Sequence, residues 1–176
     1  MDIDSLINQS GAEVLIWVRK NLDVAKDFNW ALLAEVSSAK ASFDGAGNKL
    51  STIDTDWLRV GIEIYDYLAS HDKDERVSSY FHNSMNIRVT LVLNVCDEKI
   101  KEKELHIIEQ WFINSLPYSY DEVLLLKDSW KNNIDVMRNL RNIKSNIHIL
   151  KRLDDSGVSF LNPNIRDWIN IMGSLP

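Results

Sequence analysis

A single cysteine, three prolines and six glycines are all that 176 residues supply of the types that staple, break or bend a chain. Cys96 stands alone, which excludes an intrachain disulfide and suits a reducing compartment. It ends an apolar run and is expected to be a small core residue rather than a reactive thiol. Long apolar runs are missing as well: Val14–Val18 and Val89–Val95 are far too short to cross a bilayer. The opening Met1-Asp-Ile-Asp4 lacks the positive stretch of a secretory leader, so the expectation is a soluble, cytoplasmic protein. Internal repeats and low-complexity tracts are absent, which gives a solenoid no support.

Chemistry-bearing patterns are equally sparse. None of His71, His82, His106 and His148 lies two, three or four residues from another, and no His-Glu-x-x-His occurs. Glu-x-x-His, which a di-iron bundle needs twice, does not occur either. The serine-hydrolase elbow Gly-x-Ser-x-Gly is missing too. The glycine-bearing loop Phe43–Ser51 fails as a Walker loop because it lacks the Gly-Lys-Ser/Thr ending and follows no strand. It fails as a calcium loop from Asp44 because Ala46, Lys49 and Thr55 fall where a ligand, a glycine and a glutamate belong. A surface connector is expected there, and no metal or cofactor anywhere.

What the chain does have is helical periodicity. With 45% hydrophobic and 26% charged residues it reads as one soluble globular domain over 1–176. Six tryptophans, nearly one per expected helix, are read as anchors in a shared core. The longest pattern runs from Ser119 to Leu153. It opens with the capping-box sequence Ser119-Tyr-Asp-Glu122 and continues through Val123, Leu126, Trp130, Ile134, Met137, Leu140, Ile143, Ile147, Leu150 and Leu153. Every step is three or four, which lines one helix face and no strand face. At about 1.5 Å per residue it would reach roughly 50 Å, so a kink or break near Asn132-Asn133 is expected.

Other elements follow from the same spacing. Leu6, Ile7, Val14, Leu15 and Val18 mark a helical segment over Ile3–Asn21, interrupted at Gln9-Ser10-Gly11. Asp27 is the expected cap of a helix burying Trp30, Leu32, Leu33 and Val36. Asp54 or Thr55 caps the next, with Trp57, Val60, Ile64 and Leu68 inward and an end near His71. Segment 87–96 alternates like a strand, yet Val77, Phe81, Met85, Val89, Val92 and Cys96 keep helical spacing, and length favours helix. Asp97 caps a helix with Leu105, Ile108, Trp111 and Phe112 inward, stopping before Pro117. Gly157 ends the long pattern, and Asn162-Pro163 opens a last helix through Ile165, Trp168, Ile169 and Met172. The fold class is thus all-α, a bundle of six to eight helices.

Charge is unevenly spread. The net is −6, yet Lys127–Arg152 holds seven bases and two acids, while residues 1–75 hold fourteen acids and seven bases. The basic strip is read as a solvated helix face, and the acidic part as attractive to basic partners and repellent to nucleic acid. In size and charge the chain resembles bacterial immunity proteins of contact-dependent growth inhibition and colicin-type systems. That resemblance implies a non-catalytic toxin inhibitor that binds a basic toxin domain. Its candidate surface is Asp44, Asp54, Asp56, Glu63, Asp66, Asp72, Asp74 and Glu75, with Tyr65 and Tyr67 as exposed aromatics. A second expectation rests on Arg141-Asn142-Ile-Lys-Ser-Asn-Ile-His148, which resembles the Arg-polar-x(n)-His motif of the HEPN superfamily. The resemblance implies an RNase or RNA-binding domain in which Arg141 holds a phosphate and His148 moves a proton.

Overall fold

Short polar side chains decide where the first helices start. The Asp2 carboxylate accepts from the Ser5 N–H (2.8 Å) and caps α1 (Ile3–Ile7). Ser10 caps α2 (Gly11–Asn21) through a reciprocal box. Its hydroxyl accepts from the Glu13 N–H (3.3 Å), and the Glu13 carboxylate accepts from the Ser10 N–H (3.0 Å). These bonds from Ser10 hold the Glu13 carboxyl below its ordinary range, as those from Ser5 do for Asp2. The break between α1 and α2 falls at the Gln9-Ser10-Gly11 interruption read from the sequence.

This computed structural model describes residues 2–44, 47–72, 76–115 and 146–173. The fold is all-helical, with α3 (Trp30–Ser42), α4 (Thr55–His71), α5 (Val77–Asn94), α6 (Glu98–Ser115), α7 (146–155) and α8 (Asn164–Gly173) following α1 and α2. Among the described residues the only ladder pairing is an isolated bridge between Phe43 and Lys49, across the loop joining α3 to α4. The ambiguous 87–96 stretch is the last part of α5 as far as Asn94, so helical spacing outweighed local alternation. No helix among the described residues is long and apolar enough to cross a membrane.

Two compact units divide the chain, Met1–Lys101 and Glu102–Pro176. In the first, α4 is the hub and packs on α2, α3 and α5. Trp57, Leu58, Val60, Ile62, Ile64, Tyr65 and Ala69 are all buried along it. A Cβ on Gly11 would lie 2.7 Å from the Trp57 backbone nitrogen, so only glycine lets the start of α2 come this close to α4. In the same unit Trp17, Phe28 and Trp30 meet in one aromatic cluster, with centroids 4.6 to 5.6 Å apart. Trp30, Trp57 and Trp168 are buried, and Trp17 and Trp111 are half-buried.

In the second unit α7 buries Ile147, Ile149, Leu150 and Leu153. It ends in a Schellman turn: Gly157, at φ 76°, donates to Asp154 O (2.9 Å), and Val158 donates to Leu153 O (3.0 Å). Asn162 caps α8 by accepting from the Asn164 N–H (3.0 Å). Ile165, Trp168 and Ile169 are buried, with Trp168 edge-on to Phe112 of α6 at 6.3 Å. Of the expected long helix, residues 119–145 lie outside the described residues, along with its capping box and the Asn132-Asn133 break.

Several expectations need correction. The cap of α3 is Asn29, which accepts from the Leu32 N–H (3.2 Å), and not Asp27. Asp27 instead falls in the turn that carries Phe28 back over Ala25, whose carbonyl takes both the Phe28 N–H and the Trp30 indole N–H (3.1 Å each). Leu32 and Phe81 are exposed because the faces of α3 and α5 that meet α4 lie one position away, at Leu33 and Tyr80. Cys96 is exposed too, since α5 stops at Asn94 and the chain leaves the core before reaching it.

Candidate functional site

The acidic residues singled out in the sequence gather on and around α4. Asp56, Arg59, Glu63 and Asp66 recur at three- or four-residue steps, so they run along one side of that helix. Asp54 is its N-cap, accepting from the Asp56 (3.0 Å) and Trp57 (3.3 Å) N–H groups, and is committed to holding the helix start. Asp72 follows the last turn, and its backbone N–H closes the helix on Leu68 O (2.9 Å). Asp44 lies in the preceding loop, where its carboxylate accepts from the Asn48 backbone N–H (2.8 Å) and side-chain amide (3.1 Å). Asp74 and Glu75 lie outside the described residues.

Each carboxylate of the α4 row holds a guanidinium. Asp56 pairs with Arg59 one turn along (3.1 Å). Glu63 takes Arg19 of α2, with Nε 2.8 and 3.0 Å from the two carboxylate oxygens and Nη2 closer still to one of them. That bond raises the Arg19 pKa above its ordinary value, the positive charge being held by the Glu63 carboxylate. Asp66 receives both the Ser84 hydroxyl and the Arg88 guanidinium from α5. Arg88 is almost wholly buried whereas the Asp66 carboxylate is partly open to water. The row is thus a ladder of ion pairs that ties α2 and α5 to α4, rather than a bare acidic face.

The two aromatics differ. Tyr65, expected to be exposed, is buried at 4% exposure and stacks on Tyr80 (6.1 Å); its position faces α5 and not solvent. Burial raises its phenol pKa, and Asn83 gives it a hydrogen bond. Tyr67 is half-buried and stacks on His71 at 4.2 Å. His148 is exposed on α7, with Lys151 and Arg152 also exposed one turn on, while its expected partner Arg141 lies outside the described residues.

Sequence reading missed the cations. The Asp56–Arg59 pair was legible from its i, i+3 spacing. The partners Arg19 and Arg88, forty-four and twenty-two positions from their carboxylates, were not, because only the packing of α2 and α5 on α4 brings them in. Among the described residues no group of three or more His, Cys, Asp or Glu side chains is placed to hold a metal ion. The chain matches no family model, no curated protein and no solved structure.

Proposed function

We propose that the chain is a non-catalytic acidic binding protein that captures a basic protein partner, serving as an immunity or antitoxin protein for a bacterial toxin. A basic nuclease is the toxin type whose charge fits. The observation that carries this proposal is the α4 row, whose carboxylates are already arranged to hold guanidinium groups. The Arg19 and Glu63 side chains are 56% and 30% exposed. A pair so open to water is worth only about 0–1 kcal/mol. A partner arginine therefore displaces Arg19 at small cost while keeping its charge-assisted bonds. The fourteen acids against seven bases of residues 1–75 add a long-range field that steers a cation to this side. On this proposal the protein works in the cytoplasm without catalysis, cofactor or metal.

The test is capture from the source cytosol at low salt with two baits, the unmodified chain and Asp56→Asn/Glu63→Gln, with protein and nucleic acid in both eluates identified. A stoichiometric basic protein, inhibited when bound, is expected with the first bait and depleted at least several-fold with the second. RNA without a protein partner would overturn the proposal.

That second outcome would favour the alternative, a HEPN-like RNase or RNA-binding domain using Arg141 and His148. What supports it is the exposure of His148 with Lys151 and Arg152 on the same stretch of α7, where a phosphate can reach all three. His148→Ala would then abolish cleavage while leaving the fold intact.

A further inference from the structure

Resting on the binding role proposed for α4, we infer that the partner docks through an amphipathic helix along the seam between α2 and α4. Two of its arginines, two turns apart, exchange onto Asp56 and Glu63, and an aliphatic side chain between them packs on Ile16. The start of α2 lies on the start of α4, where a Cβ on Gly11 would come within 2.7 Å of Trp57 N and 3.1 Å of the Asp56 carbonyl carbon. Eight residues on, Arg19 reaches Glu63, itself seven residues on from Asp56. The two helices therefore run side by side in the same direction. Ala12, Ile16 and Arg19 recur at four- and three-residue steps, so they share one side of α2, and Arg19 marks it as the side next to Glu63. Ile16, 55% exposed, thus stands at a level between Asp56 and Glu63, with exposed Ala12 one turn before it.

This spacing selects a helix. Asp56 and Glu63 are two turns apart, about 10 Å along the axis. Arginines at i and i+7 of a partner helix repeat that step on one face, with position i+3 or i+4 midway on the same face. In a strand, at about 3.3 Å per residue, the same distance is about three residues, and an odd step points the two side chains to opposite faces. An aliphatic contact enclosed by charged pairs is also the arrangement of an interface anchor, apolar at the centre and polar at the rim.

Each carboxylate already holds an arginine of this chain, Arg59 on Asp56 and Arg19 on Glu63, so the partner enters by exchange. Both pairs are open to water and contribute little to the fold, and the released guanidinium is rehydrated. Asp66 stays outside the interface, because Arg88 is buried and has no solvent to return to. What the internal pairs lack and the partner supplies is cover for Ile16. The acid excess of residues 1–75 guides the approach.

The test uses the full chain and three alanine-based helical peptides. The first carries arginines at i and i+7 with leucine at i+4. The second has the same composition with the later arginine moved to i+9, half a turn round the helix. The third has alanine in place of the leucine of the first. Binding is read by titration and by backbone amide shifts. The first peptide should bind several-fold tighter than the second and shift the Ile16 and Glu63 amides. Ile16→Ser should abolish the advantage of the first over the third, and Asp56→Asn/Glu63→Gln should weaken all three. Equal binding of the first two, or a leucine advantage that survives in Ile16→Ser, overturns the helical partner; if the double variant still weakens binding, the carboxylate reading stands. Binding indifferent to the double variant overturns both. No binding of any peptide at millimolar concentration overturns the helical partner alone, since capture from the cytosol tests the reading separately.

Discussion

At Glu109 the linkage has a definite sign. Glu109 is buried on α6, where its carboxylate accepts from the Leu161 (2.7 Å) and Asn162 (2.9 Å) N–H groups; burial raises its carboxyl pKa despite those bonds, so the folded chain binds this proton more tightly. Its contribution is most favourable below the unfolded value and is lost as pH rises through the folded value. Urea unfolding of the unmodified chain and Glu109→Gln should therefore give a stability difference that grows in the variant's favour across that window and is constant above it. Glu109→Ala should cost about 1–3 kcal/mol, because two backbone donors lose their acceptor. Arg19→Ala, which removes an exposed pair, should cost no more than about 1 kcal/mol in the same assay. Asp66→Ala should cost more, about 1–3 kcal/mol, since it takes a charged hydrogen-bond partner from the buried Arg88.

Gly11 of α2 and Gly61 of α4 separate space from propensity at the level of the helix. Gly11→Ala drives a Cβ to 2.7 Å from backbone, which has no room to yield, and should lower stability by about 1–3 kcal/mol. Gly61→Ala meets the far end of Ile87 at 3.1 Å, which can turn aside, and gains about 0.8–1 kcal/mol of helix propensity. It should be neutral or stabilising in the same unfolding experiment. Asp54→Ala should cost about 0.5–2 kcal/mol through the lost cap of α4. Helix identity was legible because three- and four-residue spacing and the Asp54, Asp97 and Asn162 caps are local signals. Asp27 misled because a competing cap stood two residues on, at Asn29. Leu32 and Phe81 misled because an apolar residue beside a buried neighbour satisfies the same spacing as the buried one. The centrality of α4 was not legible, since it depends on which helices meet it. Nor were the bonds from Leu161 and Asn162 to Glu109, whose donors stand fifty-two and fifty-three positions from their acceptor.

For the whole molecule, net charge and its uneven spread were legible from composition alone, whereas the neutralising of individual acids was not. The acids chosen for a partner surface are partly occupied within the fold, Asp54 by its cap and Asp56, Glu63 and Asp66 by arginines. On the proposed function, recognition on this side would exchange one guanidinium for another, guided by the field of residues 1–75. Exchange of exposed charges is screened by salt, while apolar docking is not. The most direct measurement of the proposed function is the affinity for whichever basic protein the capture experiment yields, across ionic strength, for the unmodified chain and for Asp56→Asn/Glu63→Gln. Affinity should fall steeply with salt, and the double variant should bind more weakly and with a shallower salt dependence. An affinity indifferent to salt, or identical in the two proteins, would contradict a carboxylate-based interface on α4.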